Sequence, residues 1–553
     1  MKKSLLFIAI MFSLGIKAQN DLFANNRIIL SLKNDNNKPI TSLNEIEELN
    51  FLFNDYSINK IKSLDISKTN ALNGRPLVII FSEAIPVELI IEKLKNSDLF
   101  EYVEPDYLAT GSGEKREQNI EIIENKKTIF LIPNDQYFFR QWGLHNDGSF
   151  SLSPSVLDAD VDMIEAWDIT TGSSNIKMAV IDSGIRMSHP EFSGRLYSNT
   201  AETLNGTDSD NNGYVDDLTG WDFVNNDNNP TDDHGHGTNV SGIAMANGNN
   251  NIGYAGVDWN CKLLPLKVLD NNNSGLNSNI IASIYYAINR NVDLISISIG
   301  SSGFSTAYLN VINQAYNQNI PVIACMMNFN NGVSYYPAAF ANSIAVGSTN
   351  PNDNRTSPFF WSATSGSNYG NHIDVVAPGN YMYGLSYTSD TSYGSYWGGT
   401  SQATPLVAGV VSLMLSVNPN LTVEEIRTIL RNTAEDQVGN PLEDTIGWDQ
   451  YYGAGRVNAN NALTYLQNLT NTNFDSNDLF KIYPNPVKNT LYFEITASLK
   501  DNFSVSIYDI TGRYVKKNNE AVENINVSDL NSGLYIAVIS NDTEKISRKF
   551  IKE

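Results

Sequence analysis

The sequence predicts an α/β protein: a doubly wound, mostly parallel sheet in mid-chain, a small α+β unit before it and an antiparallel β-sandwich after it. Three observations carry this prediction. From Asn134 to Leu466, short runs that are apolar at every position alternate with helical patterns, and strands of that kind are buried on both faces of a parallel sheet. Upstream, residues 20–110 hold strand-like and helix-like runs that suffice for one small unit. From residue 479 onward helical spacing gives way to period-two alternation with turn dipeptides, the mark of antiparallel β structure.

A chain of 553 residues exceeds one ordinary core, so several folding units are expected. With 37 Lys+Arg against 60 Asp+Glu the net charge is −23, which excludes a broad electrostatic grip on nucleic acid. Clustered Asp and Asn point instead to calcium, or to solubility alone. Two cysteines, Cys261 and Cys325, make no disulfide framework and read as buried thiols. At the start, Lys2 and Lys3 precede the apolar run Leu5–Ile16, and Ala18 offers a small cleavage position, so residues 1–18 read as a signal peptide. That run is too short to span a bilayer, and no integral span is expected in the mature protein.

In chain order, Arg27–Lys33 and Leu77–Phe81 read as strands, Ser42–Leu49 and Val87–Lys95 as helices, and Glu101–Leu108 as a closing strand. The charged stretch Gly111–Lys127 reads as exposed, protease-sensitive chain within a linker over 111–133. The central region, 134–466, offers strands at Ile176–Ile181, Lys262–Val268, Leu294–Ile299, Ile320–Ala324 and Ile344–Val346. Its helices are expected at Asn279–Asn289, Ala307–Tyr316, Leu406–Val417 and Val423–Leu430. A second linker, 467–478, leads to the β domain at 479–553, with strands at Phe503–Tyr508 and Leu534–Ile539.

Chemistry concentrates where such sheets place it, beyond the carboxyl ends of strands. Gly398-Gly399-Thr400-Ser401-Gln402-Ala403-Thr404-Pro405 stands before the most apolar helix pattern. Ser401 therefore falls at a buried helix N-terminus, which favours developing negative charge, with Pro405 suited to the first turn. Alone, this stretch reads equally well as a helix cap. Asp182 leaves a buried strand in Val180-Ile181-Asp182-Ser183-Gly184-Ile185, and a carboxylate there is costly unless paired. In Asp233-His234-Gly235-His236-Gly237-Thr238, an imidazole is available to take a serine proton while an aspartate fixes its tautomer.

The blocks around Asp182, His236 and Ser401, in that order, resemble the signature blocks of the subtilases, the subtilisin-like serine proteases. The likeness spans about 134–466 and implies a subtilisin-like fold with Ser401 as nucleophile, His236 as general base and acid, and Asp182 as its orienting carboxylate. Asn328, after Ile320–Met327, is implied as the oxyanion donor. Ser298-Ile299-Gly300 resembles the edge that pairs with an extended substrate. There are departures from the family pattern. Gln402 stands where Met is usual, Leu406 where His is common, and Asn239 replaces a second His. Met326 and Met327 replace small residues, and Met327 is expected in the pocket for the side chain before the scissile bond, favouring small residues there.

Calcium is the implied cofactor. Asp208-Ser209-Asp210-Asn211-Asn212-Gly213, then Asp216 and Asp217, resembles an EF-hand-type loop with Thr219 in place of the final Glu. The family likeness suggests a second site from Asp135, Glu191 and Asn250 in the loop Gly248–Tyr254. Residues 20–110 resemble the subtilase propeptide, a chaperone and inhibitor. Ile482–Pro486, Ile507–Arg513 and Leu530–Tyr535 resemble the C-terminal sorting domain of type IX secretion in Bacteroidetes. The expectation is thus a secreted, calcium-stabilised serine endopeptidase made as a zymogen. Its partners would be protein or peptide substrates, its own propeptide and the type IX machinery. The rival is an inactive subtilase-fold binding or adhesion protein.

Overall fold

The computed structural model describes residues 22–33, 40, 42–65, 72–117, 132–470, 480–495, 504–509, 513–518, 524–540 and 545–553. The expected signal segment lies outside them. The chain divides into two units, 1–467 and 468–553.

The first unit opens with strands β1 (Phe23–Leu32), β2 (Ile58–Ser63), β3 (Pro76–Phe81) and β4 (Phe100–Gly111), in the antiparallel order β4-β1-β3-β2. β1 is apolar at nearly every position because both its faces are covered. Ile28, Leu30 and Leu32 point to the helix Val87–Lys95, packing with Ile90 and Leu94. Ile29 points the other way, joining Val78 and Ala109 against Ile280, Ile284 and Tyr308 of the central region. The helix expected at Ser42–Leu49 is replaced by two 3₁₀ turns, Leu43–Glu45 and Glu47–Leu49, and the α-helix follows at Asn50–Asp55. Ser42 accepts a local bond from the Asn44 N–H, and Ile46 between the turns is extended, so local bonding displaces a continuous helix.

The stretch from Gly111, expected as linker, begins instead as ordered chain: Gly111 ends β4, and Glu114–Glu117 forms β5. The central region follows with β6 (Lys177–Asp182), β7 (Trp221–Asp222), β8 (Lys262–Lys267), β9 (Ser274–Leu276), β10 (Leu294–Ile297), β11 (Ile299–Gly300), β12 (Val322–Cys325), β13 (Ser343–Thr349), β14 (Val375–Pro378), β15 (Met382–Tyr383) and β16 (Ser395–Gly398). Seven of these build one parallel sheet in the order β14-β13-β12-β10-β6-β8-β7. The order reverses about β6, which begins the sheet from its interior. Long helices cross it at His236–Met245, Asn277–Asn289, Thr306–Asn317 and Thr400–Val417. The last, the one described helix long and apolar enough to span a membrane, is buried in this core. Cys261 and Cys325 are free and buried.

The second unit contains two antiparallel sheets. One is formed by Phe480–Tyr483, Thr490–Ile495 and Asn524–Asn526, the other by Ser504–Asp509, Tyr514–Asn518, Gly533–Ser540 and Lys545–Lys552. Leu491 and Phe493 from the first share a core with Ile507, Ala537 and Phe550 from the second.

Candidate active site

Asp182 is the last residue of β6, near the middle of the parallel sheet. Its Oδ1 accepts from the Ser183 N–H at 2.7 Å and faces His236 Nδ1 at 2.7 Å. That contact places a proton on Nδ1. His236 opens its helix and is completely buried. The loop before it is gathered by Asp232, which the sequence reading passed over. Its carboxylate accepts from Ser183 Oγ, the N–H groups of His234, Gly235 and Thr238, and Thr238 Oγ1. Gly237 has to be glycine for close approach: a Cβ there would lie 2.1 Å from the Gly184 carbonyl oxygen.

Ser401 lies in the first turn of Thr400–Val417. The helix starts earlier than the apolar pattern implied, so Pro405 sits beyond the first turn, inside the helix. Pro405 has no N–H to give the Ser401 carbonyl, and the Ser298 hydroxyl donates to that oxygen at 2.9 Å. In return Ser401 Oγ donates to the Ser298 carbonyl at 3.0 Å. Asn328, three residues beyond β12, accepts at Oδ1 from Thr400 N (2.9 Å) and Thr400 Oγ1 (3.0 Å). This pins the amide and turns Nδ2 toward Gly399. A Cβ on Gly399 would fall 2.8 Å from Asn328 Nδ2, 2.8 Å from Gly113 Cα and 3.0 Å from the Ser112 oxygen.

The chain therefore lies across its own site. Leu108–Thr110 pairs antiparallel with β9, and Thr110 and Gly111 pair with Gly300 and Ile299 of β11. Ser112 donates its N–H to the Ser298 carbonyl at 3.2 Å. β5 then pairs antiparallel with β16, from Glu114 opposite Gly398 to Glu117 opposite Ser395. His236 Nε2 lies 2.9 Å from the Ser112 carbonyl oxygen. Burial opposes a charge on His236, but the Asp182 carboxylate, the hydrogen bond to it and the Ser112 carbonyl together hold its pKa above 6.5. With both ring nitrogens donating, His236 has no lone pair for Ser401, whose hydroxyl is turned to Ser298. Of the expected set, Asp182 and His236 are joined, and Ser401 and Asn328 flank the same bond.

Met327 has a positive φ of 73° and its Sδ lies 3.7 Å from Cys325 Sγ. A Cβ on Gly300 would meet that Sδ at 2.5 Å. The side chain thus fills space between β12 and β11, on the wall beside Ser112. A groove of about 630 Å³ stays open beyond it, toward Phe329 and Trp361.

The acidic loop differs from the expected ligand set. Asp208 and Asp210 gather with Glu202, whose carboxylate was not singled out from sequence. Glu202 Oε2 and Asp210 Oδ1 are buried without a hydrogen-bond partner. The remaining expected ligands are directed elsewhere. Asp217 is taken by Arg290, Tyr286, Asn199 and the Asn212 amide, while Asp216 caps Asn205 and Gly206. Buried Asp217 is better satisfied by a guanidinium at 2.9 Å than by lying on the loop's rim. At the second place, Asp135 accepts from the Asn249 N–H and keeps Oδ1 buried and unpartnered. Glu191 accepts from the Asn250 side-chain amide at 2.8 Å. Burial, with Asp135 adding repulsion, pushes the Glu191 carboxyl up to about 8, and burial pushes Asp135 up to about 6. The orphaned oxygens of Asp135, Glu202 and Asp210 fit a hard cation at both places, with the other oxygen of Asp210 held by Arg290 at 2.9 Å.

An α/β sheet with aspartate, histidine and serine converging at its carboxyl edge defines the class: a serine hydrolase of parallel-sheet architecture. Residues 173–455 match the subtilase family, and residues 481–553 match the secretion system C-terminal sorting domain. The chain is 33% identical over 379 residues to the thermophilic serine proteinase of Bacillus sp. (strain AK1), covering 68% of this chain and 76% of that protein. It is 35% identical over 334 residues to thermitase of Thermoactinomyces vulgaris, covering 60% and 99%. With subtilisin amylosacchariticus of Bacillus subtilis subsp. amylosacchariticus the identity is 37% over 290 residues, covering 52% and 65%. The chain belongs to the subtilase family. It is a serine endopeptidase with a sorting domain that directs it to the cell surface or beyond.

Proposed function

We propose that the protein is a calcium-stabilised zymogen that cleaves peptide bonds through an acyl-enzyme on Ser401. The observation that carries this reading is the 2.7 Å Asp182–His236 contact beside Ser401, with an extended segment of the chain laid over them. For reaction, Ser401 Oγ leaves the Ser298 carbonyl, and His236 Nε2 leaves the Ser112 carbonyl and releases its proton to water, so that the neutral Nε2 takes the serine proton as Oγ attacks. Asn328 Nδ2 and the Ser401 N–H receive the oxyanion. His236 then gives the proton to the departing amine, and water repeats the sequence to release the acid. Asp182 keeps the imidazole in its tautomer throughout.

Residues 20–110 act as the propeptide: β4 enters the cleft as a substrate strand would, which supports an inhibitory role. Asp135 and Glu191 would hold one calcium ion, with the Asn250 side chain beside them, and Asp208, Asp210 and Glu202 a second. The ions would neutralise clustered carboxylates and fix surface loops. The unit at 479–553 would be read by the type IX secretion machinery. A fluorophosphonate probe tests the reading: covalent label on processed wild type, absent from Ser401→Ala together with all peptide hydrolysis, is expected. Unlabelled, inactive wild type would instead make the protein a subtilase-fold binding or adhesion protein.

A further inference from the structure

We infer that the Ser112–Gly113 bond is the chain's first substrate, and that the cleft selects glycine on either side of the cleaved residue, through Asn273 before it and Gln402 after it. This rests on the protease reading and adds a substrate class: small residues set between glycines, as in flexible interdomain spacers.

The register fixes the bond. Thr110 and Gly111 pair with Gly300 and Ile299, Ser112 donates to Ser298, and Glu114 pairs with Gly398. Ser112 and Gly113 are the two residues between these pairings, and they converge with Asn328 Nδ2 on Gly399. In the cleavage, Ser401 Oγ bonds to the Ser112 carbonyl carbon as the bond to the Gly113 nitrogen breaks. The serine proton passes through His236 to that nitrogen. Water then hydrolyses the ester, leaving Ser112 as a carboxylate and restoring the serine.

The walls set the selectivity. The Gly111 N–H donates to the Asn273 carbonyl at 3.1 Å, and the Asn273 side-chain amide lies over the Gly111 Cα. A Cβ on Gly111 would fall 2.2 Å from Asn273 Oδ1 and 2.7 Å from Cγ and Nδ2. Asn273 Oδ1 is buried without a partner. Its backbone is held in a left-handed turn, with φ 59° and its N–H on the Asp270 carbonyl. Beyond the bond, Gly113 has φ 127°, a conformation that disfavours a side chain, and a Cβ there would fall 2.8 Å from Gln402 Oε1. That oxygen is also buried and unpartnered, while the amide nitrogen is held by Asn239. Gln402 replaces the methionine usual in the family, so this wall belongs to this chain.

The test uses purified processed enzyme and a peptide copying residues 108–117, with further copies carrying alanine in place of Gly111 or Gly113. Cleavage between Ser112 and Gly113 is expected, together with a processed protein whose N-terminus is Gly113. The Gly113 copy, strained at φ 127° and 3.2 Å from the Gly398 carbonyl, should be cut about a hundredfold more slowly, and the Gly111 copy, for which the Asn273 side chain has to swing aside, about tenfold more slowly. Asn273→Gly keeps the left-handed turn and should close the gap for the Gly111 copy while leaving the Gly113 copy slow. Equal rates for all three peptides, or cleavage at another bond, overturns the inference. Hydrolysis lost in Ser401→Ala upholds the protease reading whichever way the glycine comparison falls.

Discussion

The two halves of the segment that crosses the cleft are held in different ways. Before Ser112 one face of the strand is buried: Asp106 and Ala109 are almost wholly inaccessible, and Glu104 nearly so. Glu104 accepts from Ser305 Oγ and the N–H groups of Thr306 and Ala307, at the start of one helix. Asp106 accepts from Ser278 N and Oγ, at the start of the other. Both are anions on helix N-termini, where the dipole adds to the hydrogen bonds. After Ser112 the four residues of β5 are exposed. Beyond its backbone pairing, β5 has a Ser395–Glu117 hydrogen bond at 3.0 Å and two exposed cations near aromatic rings. Contacts of that kind contribute at most about 1 kcal/mol each. Cutting between the halves leaves one product anchored and the other free to lift away, which is the asymmetry an inhibitory propeptide requires.

Removing the anchors should abolish that asymmetry and gives the largest expected effect. Glu104→Ala with Asp106→Ala deletes charge-assisted bonds worth roughly 2 kcal/mol each. Inhibition of processed enzyme by the separate N-terminal unit should then weaken by at least about a hundredfold. Replacing all four β5 residues with serine should change it by less than about threefold. Comparable losses from the two sets would show that the halves are held alike. The pH dependence has a definite sign. Burial raises the Glu104 and Asp106 carboxyls despite their hydrogen bonds. Groups whose pKa is raised on docking take up protons, so docking is tightest in acid and weakens as pH rises through the docked values. For these two carboxyls the window opens at the ordinary 4.5 of Glu104 and 3.8 of Asp106 and runs upward. Inhibition constants that stay flat from about pH 4 to 7 would remove the coupling.

The same two halves show what was legible in the sequence. The blocks around Asp182, His236 and Ser401 are local patterns, each carried by one strand end or helix start, and they were readable residue by residue. So were the buried thiols and the parallel strands, because both report burial through composition. The cleft's occupant was not: Gly111–Glu117 is polar and glycine-containing, and its order comes from pairing with β11 and β16, far along the chain. Asn273 escaped for the same reason, since Gly111 meets it from far along the chain; Asp232 escaped although most of its donors, on His234, Gly235 and Thr238, stand close by in sequence. Glu202 joins Asp208 and Asp210 through a fold-back that no linear loop motif encodes, whereas Asp217 was lost to Arg290, which approaches from another helix.

A middle-sized effect is expected from the carboxylates that flank the catalytic region. If Asp135 with Glu191, and Glu202 with Asp208 and Asp210, hold calcium, excess chelator removes a ligand bound only by the folded state. An ion held at about a thousand times its dissociation constant contributes about 4 kcal/mol, or on the order of 10 °C in Tm for a domain of this size. Glu191→Gln should lower the chelator-sensitive part, while Asp217→Asn, paired to Arg290, should lower Tm equally with and without chelator. A melting curve that chelator leaves unchanged, with no calcium by elemental analysis, would strip both sites of their role. The N-terminal anchors should be indifferent to chelator, because their carboxylates are already satisfied by protein donors.

The smallest effect concerns the wall beside Ser112. Met327 reaches across from β12 to the Gly300 edge, so the space under the cleaved residue is shortened on that side, while the groove toward Phe329 and Trp361 stays open. A thioether chain is flexible and yields to a larger neighbour, so exclusion should be graded. Met327→Gly also relieves a left-handed backbone that a side chain disfavours, which offsets part of the packing lost with the buried thioether chain. Cleavage after phenylalanine relative to alanine is expected to rise by about five- to tenfold in the variant, within the range that hydrophobic pocket volume can supply. The requirement for glycine at position 111 should not change, because Asn273 is untouched. If the ratio of phenylalanine to alanine stays at the parent value, Met327 yields freely to substrate, and selectivity in the cleft rests on the glycine-facing walls alone.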